Sequence, residues 1–161
     1  LNLTNAAVGS YTAPTSSVFT IPNDDANWNG SGNDIIAYCF AEKKGFSKFG
    51  SFTGNGSTDG TFIYTGFKPA FVMIKAATYA GQGWSMYDVK RSTYNVTNTL
   101  LKANESSVEA TSSTYDIDIL SNGFKCRSTW DANNRSGETY IGIAFAENPL
   151  VGTNNIPACA R

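Results

Sequence analysis

The stretch IIAYCFAE at residues 35–42 decides the fold, because a closely similar stretch, YIGIAFAE, returns at residues 140–147. At a fixed offset of 105 (140 minus 35), the match runs backwards without a gap to Phe19 over Phe124. Eight of the 24 aligned positions are identical, among them Ile36/Ile141 and Phe40/Phe145. In both stretches, the two sets of alternate positions are both apolar, which is typical of central strands buried on both faces. The sequence therefore predicts two equivalent central strands in an internal repeat.

The repeat also predicts the domain organisation. One period of 105 residues leaves 56 of the 161 residues (161 minus 105). We expect residues 1–42 to be the C-terminal half of a preceding repeat unit or a lead-in, residues 43–149 a complete unit, and residues 150–161 an irregular tail. In this interpretation the sequence starts inside a repeat and is a C-terminal piece of a longer protein.

The composition predicts an all-β protein. Ser, Thr, Asn and Gly make up 64 of the 161 residues, a background that suits strands and polar turns better than long helices. About ten short strands separated by turn signals favour an antiparallel β-sandwich of jelly-roll-like form. A β-propeller is the alternative, but its blade period is nearer to about 40–50 residues than to 105.

Individual strands can be placed within this fold. Residues 46–52 and 61–67 are predicted to form a hairpin around the turn GNGS at residues 54–57. The very apolar stretch PAFVMIKA, residues 69–76, is predicted to be a central strand. Strict alternation in YDIDIL, residues 115–120, places Ile117 and Ile119 on one face.

The three cysteines, Cys39, Cys126 and Cys159, have no CxxC spacing. In the repeat alignment Cys39 faces Ala144 and Cys126 faces Ile21, so these two positions exchange cysteine for apolar residues. This favours buried thiols over disulfides or a metal site, and assembly in a reducing cytoplasm.

The chain has no histidine, which removes the Ser-His-Asp and Cys-His arrangements and the usual zinc sites. Two carboxylate pairs, Asp116/Asp118 and Asp131/Glu138, could serve a glycosidase, but solvated strand and loop positions are the favoured explanation of both. No phosphate-binding glycine motif occurs, and the net charge of −1 gives no basic surface for nucleic acid. We therefore expect a protein that is not an enzyme, with no cofactor, no bound metal, no nucleic-acid partner and no membrane insertion.

The remaining pattern combines aromatic, amide and charged side chains in the two equivalent loops at residues 23–32 and 128–137. Indole faces beside amide, carboxylate and guanidinium groups suit sugar binding. The alternative is that the tryptophans pack over the ends of the sandwich, and core packing is the expectation for Trp84 and Tyr87. The predicted ligand-binding residues are Trp28, Asn29, Trp130, Asp131, Asn133, Asn134 and Arg135.

Three segments carry a family resemblance: residues 45–75 (GFSKFGSFTGNGSTDGTFIYTGFKPAFVMIK), 118–128 (DILSNGFKCRS) and 139–151 (TYIGIAFAENPLV). Together they resemble a β-rich domain of unknown function that recurs in tail-associated and other structural proteins of bacteriophages, marine ones in particular, often after a concanavalin-like module. Residues 43–149 resemble a full unit, and residues 16–42 the end of a preceding one.

The resemblance implies a virion component, a tail fibre or spike domain on the particle surface that contacts the host. It carries over no catalytic residue. Because fibres of this kind are usually homotrimers, the implied partners are copies of the same chain, other virion proteins and a host-surface glycan. A capsid decoration fibre, or a carbohydrate-binding module or adhesin of a bacterial surface protein, is the alternative.

Overall fold

A computed structural model describes residues 15–21, 30–32 and 34–148. The chain divides into two compact units, one formed by Asn5–Phe40 and the other by Ala41–Arg161 together with Leu1–Thr4. Every strand found in the described residues belongs to the larger unit. The site considered below lies entirely within that unit.

The larger unit is built from nine strands and one short 3-10 helix. In chain order they are β1 (Ser47–Thr53), β2 (Phe62–Tyr64), β3 (Pro69–Ala76), β4 (Ser85–Asp88), β5 (Thr99–Lys102), β6 (Ala110–Thr111), the 3-10 helix (Ser113–Tyr115), β7 (Ile117–Leu120), β8 (Gly123–Cys126) and β9 (Thr139–Ala146). They form a six-stranded sheet, ordered β1-β9-β3-β4-β5-β6, and a three-stranded sheet, ordered β2-β8-β7. All strand pairs are antiparallel.

Strand β9, which contains YIGIAFAE, lies between β1 and β3 in the six-stranded sheet. Thr139 to Phe145 pair with β1, and the register Val72↔Ala144 joins the strand to β3. Tyr140, Gly142 and Ala144 are buried, whereas the residues between them are only partly buried. The prediction of a central strand holds for this copy, but the predicted burial of both faces is wrong, because only one face of the strand meets the core.

The buried faces of the two sheets contribute to one hydrophobic core. Ile74 of β3, Ile117 and Ile119 of β7, and Phe124 of β8 are all buried within it. Phe52 of β1 packs edge-on against Phe124, with 6.2 Å between ring centroids. Each fully buried aliphatic or aromatic side chain stabilises the fold by roughly 1.5–3 kcal/mol. The prediction that Ile117 and Ile119 share one face is confirmed, and that face is buried.

The described part of the chain is all-β, with antiparallel sheets and no α-helix. It also contains no helix long and apolar enough to cross a bilayer. The prediction of an all-β antiparallel fold is confirmed, while the jelly-roll connectivity and the repeat remain predictions.

The first copy of the repeated stretch does not form the predicted strand. Residues 35–41 have no assigned strand, and Ile36 and Tyr38 are 77% and 80% exposed. A central strand needs a hydrogen-bonded neighbour on each side, and β9 already occupies that place between β1 and β3. The prediction of a buried strand is therefore wrong for these residues.

The predicted hairpin between residues 46–52 and 61–67 is also wrong. Strands β1 and β2 lie in different sheets, where β1 pairs with β9 and β2 pairs with β8. The loop between them is held by other connections: Gly54 N–H donates to the Glu138 carbonyl (2.9 Å) and Gly60 N–H donates to the Cys126 carbonyl (3.1 Å). Residues 54–57 do lie in the loop between the two strands, but this loop carries the chain from one sheet to the other.

Cysteine placement follows the prediction in one case only. Cys126 is a buried free thiol, and desolvation raises its pKa to about 12. Cys39 is exposed, so its predicted burial is wrong. It lies in residues 35–41, which are not part of either sheet. Cys159 is outside the described residues.

Candidate ligand-binding cleft

The loop that carries Trp130 connects β8 to β9 and spans residues 127–138. Its turn is closed at the Trp130 carbonyl, which accepts hydrogen bonds from the N–H groups of Asn133 (3.0 Å) and Asn134 (2.8 Å). Gly137 has a φ of +79°, a left-handed conformation that glycine adopts without strain. The hydrogen-bonded backbone of this loop therefore fixes the position of Trp130.

The side chain of Asn134 joins this loop to the loop after β1. Its Nδ2 donates to Oδ1 of Asn55 (3.1 Å) and to the carbonyls of Ser57 (2.8 Å) and Ser128 (2.9 Å). Its Oδ1 accepts from the Asn55 N–H at 3.0 Å. Asn134 is completely buried, so these bonds satisfy amide atoms that water cannot reach.

Asn133 is equally buried and faces the core. Its Nδ2 donates to the hydroxyl of Tyr87 at 2.6 Å. Burial raises the pKa of Tyr87 well above its usual value, so the hydroxyl stays protonated at any ordinary pH. The proposed ligand contacts of Asn133 and Asn134 remain predictions, but their burial gives both amides a structural role.

A polar cleft of about 560 Å³ opens beside Trp130. It lies where the 3-10 helix, the start of β7 and the loop after β8 meet. Its lining residues are Thr58, Ser113, Thr114, Asp116, Arg127, Ser128, Thr129, Trp130 and Asp131. Of the predicted ligand-binding residues, Trp130 and Asp131 line this cleft.

Trp130 is held in place by Tyr115, the last residue of the 3-10 helix. The two rings are 4.7 Å apart between centroids and are tilted by 58°. The helix itself is capped by Ser112, whose hydroxyl accepts from the Thr114 N–H at 3.1 Å. Trp130 is only partly buried, so a ring already fixed by a neighbour still offers surface to a ligand.

The charged groups of the cleft carry both signs. Arg127 pairs through Nε with Asp118 (3.3 Å) and through Nη1 with Asp59 (3.6 Å). Asp116 has a buried Oδ1 with no hydrogen-bond partner. Partial desolvation, the largest cause, raises the pKa of Asp116; the Asp118 carboxylate adds to this rise, while Asn98 and Arg127 oppose it. Asp116, which lines the cleft, thus has one buried carboxylate oxygen without a hydrogen-bond partner.

This arrangement fits the requirements of sugar recognition. An indole face provides an apolar platform, and hydroxyl, carboxylate and guanidinium groups around it can exchange hydrogen bonds with hydroxyls. No group of three or more His, Cys, Asp or Glu residues able to hold a metal ion is found among the residues that the structure describes.

A family described as a domain of unknown function, DUF7483, matches residues 1–149. The chain belongs to this family. No curated protein and no solved structure gives a significant match.

In this DUF7483 chain, the Arg135 side chain contacts Tyr79 and Asp131. Its guanidinium carbon lies 4.1 Å from the centre of the Tyr79 ring, and Nη1 is 3.4 Å from Oδ2 of Asp131. Arg135 does not line the cleft. It forms an ion pair with Asp131, and its predicted ligand contact remains a prediction.

Two further predicted site residues of the DUF7483 chain, Trp28 and Asn29, lie outside the described residues. The equivalence of the two loops therefore remains a prediction.

Asp116 and Arg127 line the cleft but are not among the ligand-binding residues predicted from the sequence. In the sequence, Asp116 stands out only as one half of the carboxylate pair Asp116/Asp118. A usable signal existed in the register of β7 and β8, since Ile117 opposite Cys126 brings Asp116 next to Arg127. The Arg127 N–H indeed donates to the Asp116 carbonyl at 2.9 Å.

Proposed function

We propose that this DUF7483 chain is a carbohydrate-recognition domain of a bacteriophage virion, carried on a tail fibre or spike that contacts the host surface. It acts by binding and not by catalysis. The observation that carries this proposal is the cleft beside Trp130, with Asp116, Arg127 and Asp131 around the indole face.

The cleft supports a sugar ligand over a purely apolar one. Its walls are hydroxyl, carboxylate and guanidinium groups, and its aromatic surface comes from one partly buried indole. A pyranose has a matching division, with C–H groups on its face and hydroxyls at its rim.

The virion location is supported by the resemblance of residues 45–75, 118–128 and 139–151 to the β-rich domain of phage structural proteins. In this proposal the two sheets stack as a jelly-roll-like sandwich, and residues 35–42 and 140–147 are matching stretches of successive repeat units. The assembled form is a homo-oligomer, a trimer if it follows phage fibres. In the alternatives, a capsid decoration fibre or a carbohydrate-binding module of a bacterial surface protein, the same cleft would bind the sugar.

The proposal is tested by applying the full chain to an array of bacterial surface glycans. We expect binding to a subset of glycans, and Trp130→Ala should weaken that binding at least about tenfold, equivalent to about 1.4 kcal/mol. The matched control is Tyr94→Ala, because Tyr94 is an aromatic residue with 85% exposure that does not line the cleft.

Circular dichroism of both variants verifies that the fold is retained. Glycan binding that survives Trp130→Ala, or no binding above background on the whole array, would refute the proposed function.

A further inference from the structure

Among the described residues that line the cleft beside Trp130, Arg127 is the single one with a positive charge. Two carboxylates, Asp116 and Asp131, line the same cleft, and the other lining side chains are uncharged. The ionised lining therefore carries more negative than positive charge. Whether the cleft can accept an acidic sugar depends on how the one guanidinium is engaged.

Arg127 is already paired with carboxylates from two different elements. Its Nε lies 3.3 Å from Oδ2 of Asp118 on β7, and its Nη1 lies 3.6 Å from Oδ1 of Asp59 in the loop after β1. Thr58, the residue before Asp59, lines the cleft, so Asp59 stands beside it. A carboxylate on an incoming sugar would meet a charge of its own sign at each of these two contacts.

Asp59 is fixed at this position although its side chain is 81% exposed. Its N–H donates to Oγ of Ser57 (3.1 Å), and its carbonyl accepts from Nδ2 of Asn55 (3.0 Å). Its Oδ1 also accepts a hydrogen bond from Nζ of Lys125 at 2.6 Å. One carboxylate thus pairs with two cations, Lys125 and Arg127, that would otherwise attract an anion toward the cleft.

Arg135 adds no positive charge to the lining of the cleft. Its Nη1 pairs with Oδ2 of Asp131 at 3.4 Å, its guanidinium lies over the ring of Tyr79, and it is not among the lining residues. The Asp131 side chain is still 45% exposed, so its carboxylate can accept a hydrogen bond from a sugar hydroxyl.

This arrangement distinguishes neutral from acidic sugars. A hydroxyl both donates and accepts, so a neutral sugar can donate to Asp131 and accept from Arg127 while the ion pairs of Arg127 stay in place. The carboxylate of a uronic or sialic acid only accepts, and the one lining guanidinium that could donate to it is shared by two carboxylates of the protein. Like charges placed around a site are a means of rejecting the wrong ligand.

We propose that the cleft beside Trp130 selects uncharged sugars, such as neutral hexoses and N-acetylhexosamines, and rejects acidic ones. Asp59 determines this selectivity, because it pairs with both Arg127 and Lys125 without lining the cleft itself. The inference rests on the proposed function, since it concerns the ligand of the same cleft.

The test compares glycans that differ only in charge. The full chain is applied to uronic-acid-containing glycans and to the same glycans with each carboxylate converted to its uncharged carboxamide. We expect the uncharged forms to bind at least about tenfold more tightly than the acids. The difference should narrow as salt is raised from about 0.05 to about 0.5 M, because salt screens the repulsion.

The variant Asp59→Asn removes one negative charge and nearly preserves the shape of the side chain. It should raise the affinity for the acidic glycans at least about fivefold and change the affinity for the uncharged forms less than about twofold. The matched control is Glu147→Gln, which also removes a carboxylate that pairs with a lysine, Lys68 at 2.8 Å. Glu147 follows the C-terminal end of β9, whereas the loop that carries Trp130 precedes the N-terminal end of that strand.

The outcomes separate this inference from the proposed function. If no glycan binds, or if binding survives Trp130→Ala, the proposed function fails and the selectivity fails with it. If binding depends on Trp130 but the acids bind as well as their carboxamides, only the selectivity is refuted. An unchanged preference in Asp59→Asn, or an equal change in Glu147→Gln, would overturn the role of Asp59.

Discussion

The side-chain amide of Asn95 forms two hydrogen bonds of 2.8 Å with the backbone of Ile119. Nδ2 donates to the Ile119 carbonyl, and Oδ1 accepts from the Ile119 N–H. Two residues on, Thr97 exchanges backbone hydrogen bonds with Ile117 (2.8 and 3.0 Å). β7 is the end strand of its sheet, so Asn95 and Thr97 cover an edge that would otherwise be open to other chains.

Asn95→Ala should therefore destabilise the fold by about 1–2 kcal/mol, because it removes two hydrogen bonds and leaves both backbone groups of Ile119 unpaired. Urea unfolding measures the loss, and hydrogen exchange should be faster at the Ile119 amide. Tyr94→Ala, at the exposed neighbouring residue, is the control and should stay within about 0.5 kcal/mol of the original protein. Equal stability of Asn95→Ala and the control would show that the edge is not held by this amide.

Asn134→Ala should destabilise the fold more, by about 2–4 kcal/mol, because the amide is buried and four polar groups in two loops each lose a hydrogen bond. Thermal or urea unfolding gives the value. The comparison is Asn148→Ala, an exposed asparagine for which we expect almost no change. If both variants unfold alike, the two loops are joined by other contacts.

Asp116→Asn should stabilise the protein at neutral pH. Because the folded-state pKa of Asp116 is raised above its ordinary value of 3.8, the folded chain binds the proton more tightly than the unfolded chain. Ionisation of Asp116 therefore destabilises the folded protein as the pH rises through and above the pKa of this group. At lower pH the carboxyl group is protonated and this destabilisation is absent.

The asparagine variant cannot ionise, so its melting temperature at pH 7 should exceed the original by on the order of 1 °C, since Asp116 is only partly buried. The difference should vanish near pH 3. The control is Asp131→Asn, at another carboxylate of the same cleft. A stabilisation of Asp116→Asn that is independent of pH would contradict the explanation.

Gly60→Ala should destabilise the fold by about 2 kcal/mol or more. The added Cβ would lie 2.4 Å from the Cys126 carbonyl oxygen and 2.8 Å from Nδ2 of Asn134, too close for either to accommodate without moving a loop. Gly50→Ala is the matched glycine variant. Its Cβ meets nothing within 4 Å, so its stability should change by less than about 1 kcal/mol. Calorimetry on both variants separates lack of space from the general effect of removing a glycine.

The sequence predicted features that depend on neighbouring residues. Strict alternation placed Ile117 and Ile119 on one buried face, since side chains of a strand point alternately to its two sides. Asn95 could not be assigned to the β7 edge in the same way, because it lies 24 residues before Ile119 and nothing local specifies its partner.

The burial of polar side chains could not be predicted from the sequence. Asn133 and Asn134 have the composition of a sugar-binding loop, yet their amides satisfy groups inside the protein. The cleft itself depends on Trp130, Asp116 and Arg127 meeting from different elements, which only the pairing of β7 with β8 establishes. The exposure of residues 35–41 has the same origin, since a strand-forming sequence is buried only where neighbouring strands are available.

The position of β9 between β1 and β3 has a consequence for synthesis on the ribosome. β1 and β3 emerge early, but they are joined only through a strand that ends at Ala146, the last strand in the described part of the chain. Until then both strands present unpaired backbone beside apolar side chains, which makes the nascent chain prone to aggregation. The centre of the sheet is thus completed last, and folding of the whole unit is delayed until β9 has been synthesised.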